Sequence, residues 1–408
     1  MLRQLRRARL LALYVLVPLL AAVAPLLVIP AVTARHGAVG WSGVAIGLSV
    51  GLVGAVIGEL GWNIVGPQEV ARRPEAARSC YERALAARLV VVAPLALGCG
   101  VLAASLASSH RLAAGLLAVG VCAGALSPSW YFTGLNRPHL TLLVESLPRT
   151  VLVTLAALGI SGGGPLELYG AALLAAALLP LLLAAPLVGL PLVPGPTAFR
   201  AVGATLRAQW VLVAGRGVAT VYKAMPTPLL AWIAPDLVAL YAALDRPLRL
   251  GLQFLTALPQ RLQAWVAVDD PALRARRSLM AVVMNSVLGV LAGAVYGIAM
   301  PLVAPVLFSG TVEVTADLGM LGGVLVAVIC VSRGFGLALV AGGRAGATSS
   351  AAVVSAAIGL TGVPLAAIAS GVPGVVLALV ASELGGIVVQ WAALSLVHRG
   401  HRRAEAPA

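Results

Sequence analysis

Charge is the scarcest commodity in this 408-residue chain: acidic and basic residues together make up 10%, and aromatics only 5%. Sixty per cent of the residues are hydrophobic and the mean hydropathy is +1.00. No water-soluble domain has enough core to hide that much apolar surface, so the composition describes a polytopic membrane protein. Cys99, Cys122 and Cys330 lie in apolar runs and Cys80 in a basic stretch, and neither a disulfide nor a metal spacing results. His36, His110, His139, His398 and His401 are scattered at the edges of apolar runs and form no ligand set, so no metal and no other cofactor is expected. A phosphate loop of the form G-x-x-x-x-G-K-[ST] is missing, which excludes ATP hydrolysis by that route.

What is present is apolar sequence in membrane-length pieces. The expected fold class is an all-α polytopic membrane protein of twelve transmembrane helices in two six-helix lobes. The spans fall near 10–32, 39–60, 85–107, 112–134, 138–160, 166–193, 207–232, 236–258, 278–308, 316–341, 346–369 and 371–397. Pro301 and Pro305 are expected to end or kink the ninth. The apolar run from Leu10 is too long for a cleaved signal and reads as a first helix. The Pro- and Gly-bearing connection 194–206 divides the chain into an N-terminal lobe, 1–200, and a C-terminal lobe, 201–408.

The net charge of +14 would suit a nucleic-acid binder, but its placement argues otherwise. Basic residues gather at the N-terminus, the C-terminus and the even-numbered connections, while odd-numbered connections hold only Arg35 and Arg111. That asymmetry places both termini in the cytoplasm and leaves no nucleic-acid partner to expect. Arg72, Arg73, Arg78, Arg83 and Arg88 belong to this count as members of the second connection.

Six basic residues remain inside predicted spans: Arg149, Arg216, Lys223, Arg246, Arg249 and Arg333. Charge at such depth costs several kcal/mol on a lone helix and usually faces a cavity or a partner. Arg216 and Lys223, seven apart, share one helix face, and Asp245 and Arg249, four apart, share another. Two readings follow: walls of a polar cavity with excess positive charge, or buried ion pairs locking two helices. Only Asp245 stands nearby to neutralise Arg216, Lys223, Arg246 and Arg249, which favours the cavity. Asp245, Glu383, Glu145 and Glu59 are the carboxylates that could bind a coupling proton, against a plain structural role for each. Glu145 and Arg149, at i,i+4, are expected to neutralise one another, with Pro148 between them weakening the helix. Trp130 and Tyr131 read as headgroup-level anchors. Asp269 and Asp270, before Pro271, read as a helix start.

Three stretches together resemble one family. PAVTARHGAVGWSGVAIGLSVGLVGAVIGELGWNIVGPQEVARRPE, residues 30–75, looks like its opening helix pair and basic loop. SPSWYFTGLNRPHLTLLVESLPRT, residues 127–150, is similar to its Pro-x-Trp-Tyr-Phe-Gln-Gly segment, with Thr133 where glutamine is usual. Ala239 to Ala264, with the Tyr241 region and the stretch LTALPQRLQAWV that runs on to Val266, resembles its eighth helix and exit loop. The family is the polysaccharide-transport flippases (O-antigen and lipid-linked oligosaccharide) of the multidrug/oligosaccharidyl-lipid/polysaccharide exporter superfamily. The resemblance implies a multi-pass protein of the bacterial inner membrane, not an enzyme. Its substrate would be an anionic glycan on a polyprenyl pyrophosphate, moved from the cytoplasmic to the outer leaflet by alternating access. Membrane lipid, a polysaccharide polymerase and glycosyltransferases would be its partners. The cation set suits a pyrophosphate, because arginine's fork matches phosphate oxygens. A lipid-linked peptidoglycan precursor flippase and a multidrug or ion antiporter of the same superfamily stand as alternatives. A membrane polymerase or ligase would need a larger outer loop with catalytic groups than this chain offers.

Overall fold

The computed structural model describes the backbone of residues 2–255, 262, 263, 265, 266, 268 and 270–404, and within these all side chains except those of 2–25, 211–220, 271 and 396–404. Arg216 is therefore placed by its backbone alone, and Arg261 and Asp269 lie outside the described residues. The described chain is helical from end to end. In order, the helices are α1 Leu2–Gly58, α2 Trp62–Arg72, α3 Ala77–Leu106, α4 Arg111–Ala123, α5 Ser129–Gly134, α6 Pro138–Thr141, α7 Leu147–Ser161 and α8 Glu167–Val188. They continue as α9 Pro196–Arg200, α10 Val202–Ala224, α11 Pro226–Ile233, α12 Val238–Phe254, α13 Pro271–Leu307, α14 Ala316–Ala341 and α15 Ala345–Ala404.

Eight helical runs among the described residues are long and apolar enough to cross a membrane. Two of them are doubled. Gly37 in α1 has φ 62° and ψ −164°, and Gly371 in α15 has φ 63° and ψ −147°. That corner of conformational space is open almost only to glycine. Each glycine turns the chain between two helices without an intervening loop, which is how the predicted connections at 33–38 and 370 are made.

The chain forms two compact units. The first comprises Met1–Trp232 with Leu307–Thr311, and the second Ile233–Val306 with Val312–Ala408. In the first unit α1 packs on α3, α4, α7 and α10, and α4 also packs on α8. The short segment Leu307–Thr311 joins this unit through Phe308, fully buried with its ring 5.4 Å from that of Trp41. In the second unit α14 packs along α15, and the Ser382 hydroxyl donates to the Ser355 carbonyl at 2.7 Å across the Gly371 bend.

Three sequence expectations change here. Helix α3 starts at Ala77, two turns before the predicted span, so Arg78 and Arg83 sit on a helix rather than in a loop. Alanine, arginine and glutamate are strong helix formers and extend the helix beyond the apolar run. Helix α13 starts at Pro271, two turns before the predicted span, and runs through Pro301 and Pro305 to Leu307. Its start is capped as expected: the Ala272 N–H donates to Asp270 Oδ1 at 2.9 Å. Finally, Trp130 and Tyr131 are not headgroup anchors, because they are 3% and 6% exposed.

Candidate substrate site

The second unit carries the expected C-terminal cations. Helix α12 aligns Tyr241, Asp245 and Arg249 at successive i,i+4 positions on one face. Arg249 Nε lies 2.6 Å from Asp245 Oδ2, and the Tyr241 hydroxyl donates to Asp245 Oδ1 at 3.3 Å. Both carboxylate oxygens thus have partners on their own helix, and Tyr241 and Asp245 are buried. Arg246, the next residue along, is half-buried. Two neighbouring helices brace the same segment through its carbonyls. The Tyr296 hydroxyl of α13 donates to the Leu244 carbonyl at 2.7 Å, and Arg333 Nη1 of α14 to the Leu252 carbonyl at 3.0 Å. Pro247 deprives the Ala243 carbonyl, next to Leu244, of its donor on the same helix, and Leu252 lies in the last turn of α12, where carbonyls have no partner within the helix. The structure therefore gives Arg333 a helix-end carbonyl to hold. Glu383, also in this unit, is half-buried on α15.

The first unit carries Lys223, exposed in the last turn of α10, and the backbone of Arg216 two turns earlier. It also carries Glu59, Glu145 and Arg149. The expected Glu145–Arg149 ion pair is not formed: the two groups do not come within 4 Å of each other. Residues Leu142–Ser146 wind as a π-turn, in which the Leu147 N–H bonds the Leu142 carbonyl. Pro148 provides the reason, since it has no N–H to offer the Val144 carbonyl. The wider turn shifts the register, and Glu145 Oε2 instead accepts the Ser127 hydroxyl at 2.5 Å.

Ser127 belongs to a cluster that spacing alone does not reveal. Its centre is Arg88, 1% exposed, the most buried charged side chain among the described residues. Arg88 Nε donates to the Glu59 carbonyl at 3.3 Å, Nη1 to the Ser127 carbonyl at 3.0 Å, and Nη2 to Asn63 Oδ1 at 3.3 Å. Its guanidinium also lies 5.6 Å from the centre of the Trp130 ring, a cation–π contact. The carbonyl of Glu59 also accepts the Trp62 N–H at 3.0 Å, in the turn where Leu60 and Gly61 have φ of 51° and 73° and α1 gives way to α2. Trp130 in turn stacks near Trp62 and Tyr81, at centroid distances of 5.3 and 6.4 Å, and lies flat on Gly66, where a Cβ would collide with its ring. The Trp-Tyr-Phe segment is thus a packing plate under a buried arginine. The signal available in the sequence is the pair of carboxylates inside predicted spans, Glu59 and Glu145, since charge at such a place calls for a nearby cation.

Of the predicted site residues, Asp245 and Arg249 are joined in an ion pair. Arg216 and Lys223 belong to the first unit, and Arg246, Arg249 and Arg333 to the second. Among the described residues no group of three or more His, Cys, Asp or Glu side chains is placed to hold a metal.

No protein-family model and no curated protein matches the chain. Solved structures do. A multidrug resistance MATE family transporter of the MOP superfamily, in an inward-facing conformation, superposes with a TM-score of 0.64 at 14% identity, over 96% of each chain. A eukaryotic MATE transporter, AtDTX14, superposes with a TM-score of 0.57 at 16% identity, over 96% of this chain and 95% of that one. At such identities the likeness is one of fold. The chain has the all-helical, polytopic membrane fold seen in these MATE transporters.

Proposed function

We propose that this chain is a membrane exporter that moves an anionic, lipid-linked oligosaccharide from the cytoplasmic to the outer leaflet by alternating access. In this reading it crosses the bacterial inner membrane twelve times, in two six-helix lobes at 1–200 and 201–408, with both termini in the cytoplasm. The observation that carries the substrate class is charge type. Helices α10, 23 residues long, and α12, 17 residues long, carry Arg216, Lys223, Arg246 and Arg249 and hold one carboxylate of their own, Asp245. Asp245 is engaged by Arg249 and Tyr241. A cation excess of this kind selects a polyanion, and arginine's bidentate fork suits a pyrophosphate. Arg149 and Arg333 are further proposed contacts, and Glu59, Glu145, Asp245 and Glu383 are the carboxylates proposed for coupling. A transporter rather than an enzyme is also what the fold relatives support.

A second reading, export of small organic cations, is favoured by one fold relative, which is a multidrug resistance transporter. A cationic cargo would call for carboxylates where this chain has arginines. The two readings separate in one experiment. Purified protein in sealed vesicles is tested for translocation of a fluorescent polyprenyl-pyrophosphate oligosaccharide and, separately, of a fluorescent organic cation. Movement of the first alone supports glycan export, and movement of the second alone contradicts it.

A further inference from the structure

Between α3 and α4 runs a groove of about 300 Å³, lined by Leu89, Val92, Ala93, Ala96, Val119 and Leu126 among other apolar residues. Four of these lie at positions 89, 92, 93 and 96, one face of α3, so the groove follows that helix. Alanines at 93 and 96 keep its wall low. The surrounding surface is apolar and open, with Leu97 67% and Val90 47% exposed. The α3 wall belongs to a helical run, Pro74–Leu106, that is long and apolar enough to cross a membrane. From Leu89 to Leu97 the helix rises about 12 Å, against about 15 Å for half of a hydrocarbon core.

These facts restrict the occupant. No polar side chain lines the groove, so water and headgroups gain nothing there. A non-helical peptide segment would bring backbone polar groups into hydrocarbon without partners, at several kcal/mol each, and a groove of about 12 Å is too short to seat a membrane-spanning helix along its length. An empty groove would forfeit the dispersion contacts of its lining. A hydrocarbon chain fits the length and the chemistry, and phospholipid is the source present in greatest excess, which decides occupancy by mass action. We propose that the α3–α4 groove is a binding site for one acyl chain of a membrane phospholipid. The site lies against the Arg88 cluster, because Leu89 follows Arg88 and Leu126 precedes Ser127, whose carbonyl Arg88 holds. A seated chain therefore bears on the packing that fixes that cluster.

The test uses the full chain in vesicles of phosphatidylethanolamine and phosphatidylglycerol containing a phosphatidylcholine with a mid-chain diazirine. After photolysis, adducts are mapped by mass spectrometry. The expected result is adduct formation on 89–97 and 119–126 several-fold above that on the exposed apolar face of α13, at Val287 and Leu291. The substitution Ala93→Phe, at an exposed position on the wall, should bring the groove down to the α13 level with the melting temperature unchanged. Should that variant fail to fold, the wild-type ratio between α3 and α13 decides alone. Even labelling of the two helices overturns the proposal. Groove adducts displaced by a long polyprenyl phosphate, but not by excess unlabelled phospholipid, overturn the assignment to an acyl chain.

Discussion

The Arg88 cluster and the Asp245 cluster solve the same problem in opposite ways. Both put an arginine where water is scarce. Arg249 is neutralised locally by a carboxylate four residues away, on its own helix. Arg88 bonds two backbone carbonyls and one amide oxygen, drawn from the break after α1, from α2 and from the turn before α5. Ser127 links it onward to the carboxylate of Glu145. The first solution is a property of one helix and needs little from the tertiary structure. The second exists only when three separate chain segments have arrived, and so reports on the packing of the whole unit. That contrast separates a device that can be altered while the fold persists from one that the fold depends on.

The contrast can be broken in order of expected effect. Arg88→Ala should cost about 3–5 kcal/mol, because it removes three hydrogen bonds and leaves a cavity where a buried side chain stood. A melting curve in detergent and the yield of folded protein would show it, and a loss under about 1 kcal/mol would remove Arg88 from the centre of the cluster. Gly37→Ala and Gly371→Ala should each cost about 1–3 kcal/mol, since an alanine is strained at those dihedrals. Equal losses at the two sites would make the bends equivalent in the two units, and the same melting measurement decides. Tyr241→Phe should cost only about 0.5–1.5 kcal/mol, as Asp245 keeps Arg249. Smallest of all, Arg149→Gln should change stability little, whereas Ser127→Ala, which takes a hydroxyl from Glu145, should cost about 1 kcal/mol. The reverse ranking would restore the Glu145–Arg149 pair that the π-turn breaks.

Legibility in the sequence follows the same division. The helical class, the apolar runs, the Asp270 cap and the Asp245–Arg249 pair are readable, because each depends on residues within a few positions of one another. The Arg88 cluster is not, since its partners lie 25, 29 and 39 residues away, and a basic residue near a span edge counts first as topology. The Glu145–Arg149 spacing misleads because a proline converts an α-turn into a π-turn, and i,i+4 logic assumes the former. Trp130 misleads for a related reason: an aromatic at a span end suits either an interface or a core, and Gly66 beneath it, distant in sequence, decides for the core.

The proposed export rests above all on the cations of α10 and α12 as the ligands of an anionic glycan carrier. The most direct measurement replaces Arg216, Lys223, Arg246 and Arg249 together with glutamine in a strain lacking its own flippase. Glycan display at the cell surface and membrane abundance of the protein are then measured side by side. The expected result is wild-type abundance with display lost, and partial recovery when lysine replaces Arg246, since charge returns without the bidentate fork. Normal display by the abundant, cation-free variant would contradict it.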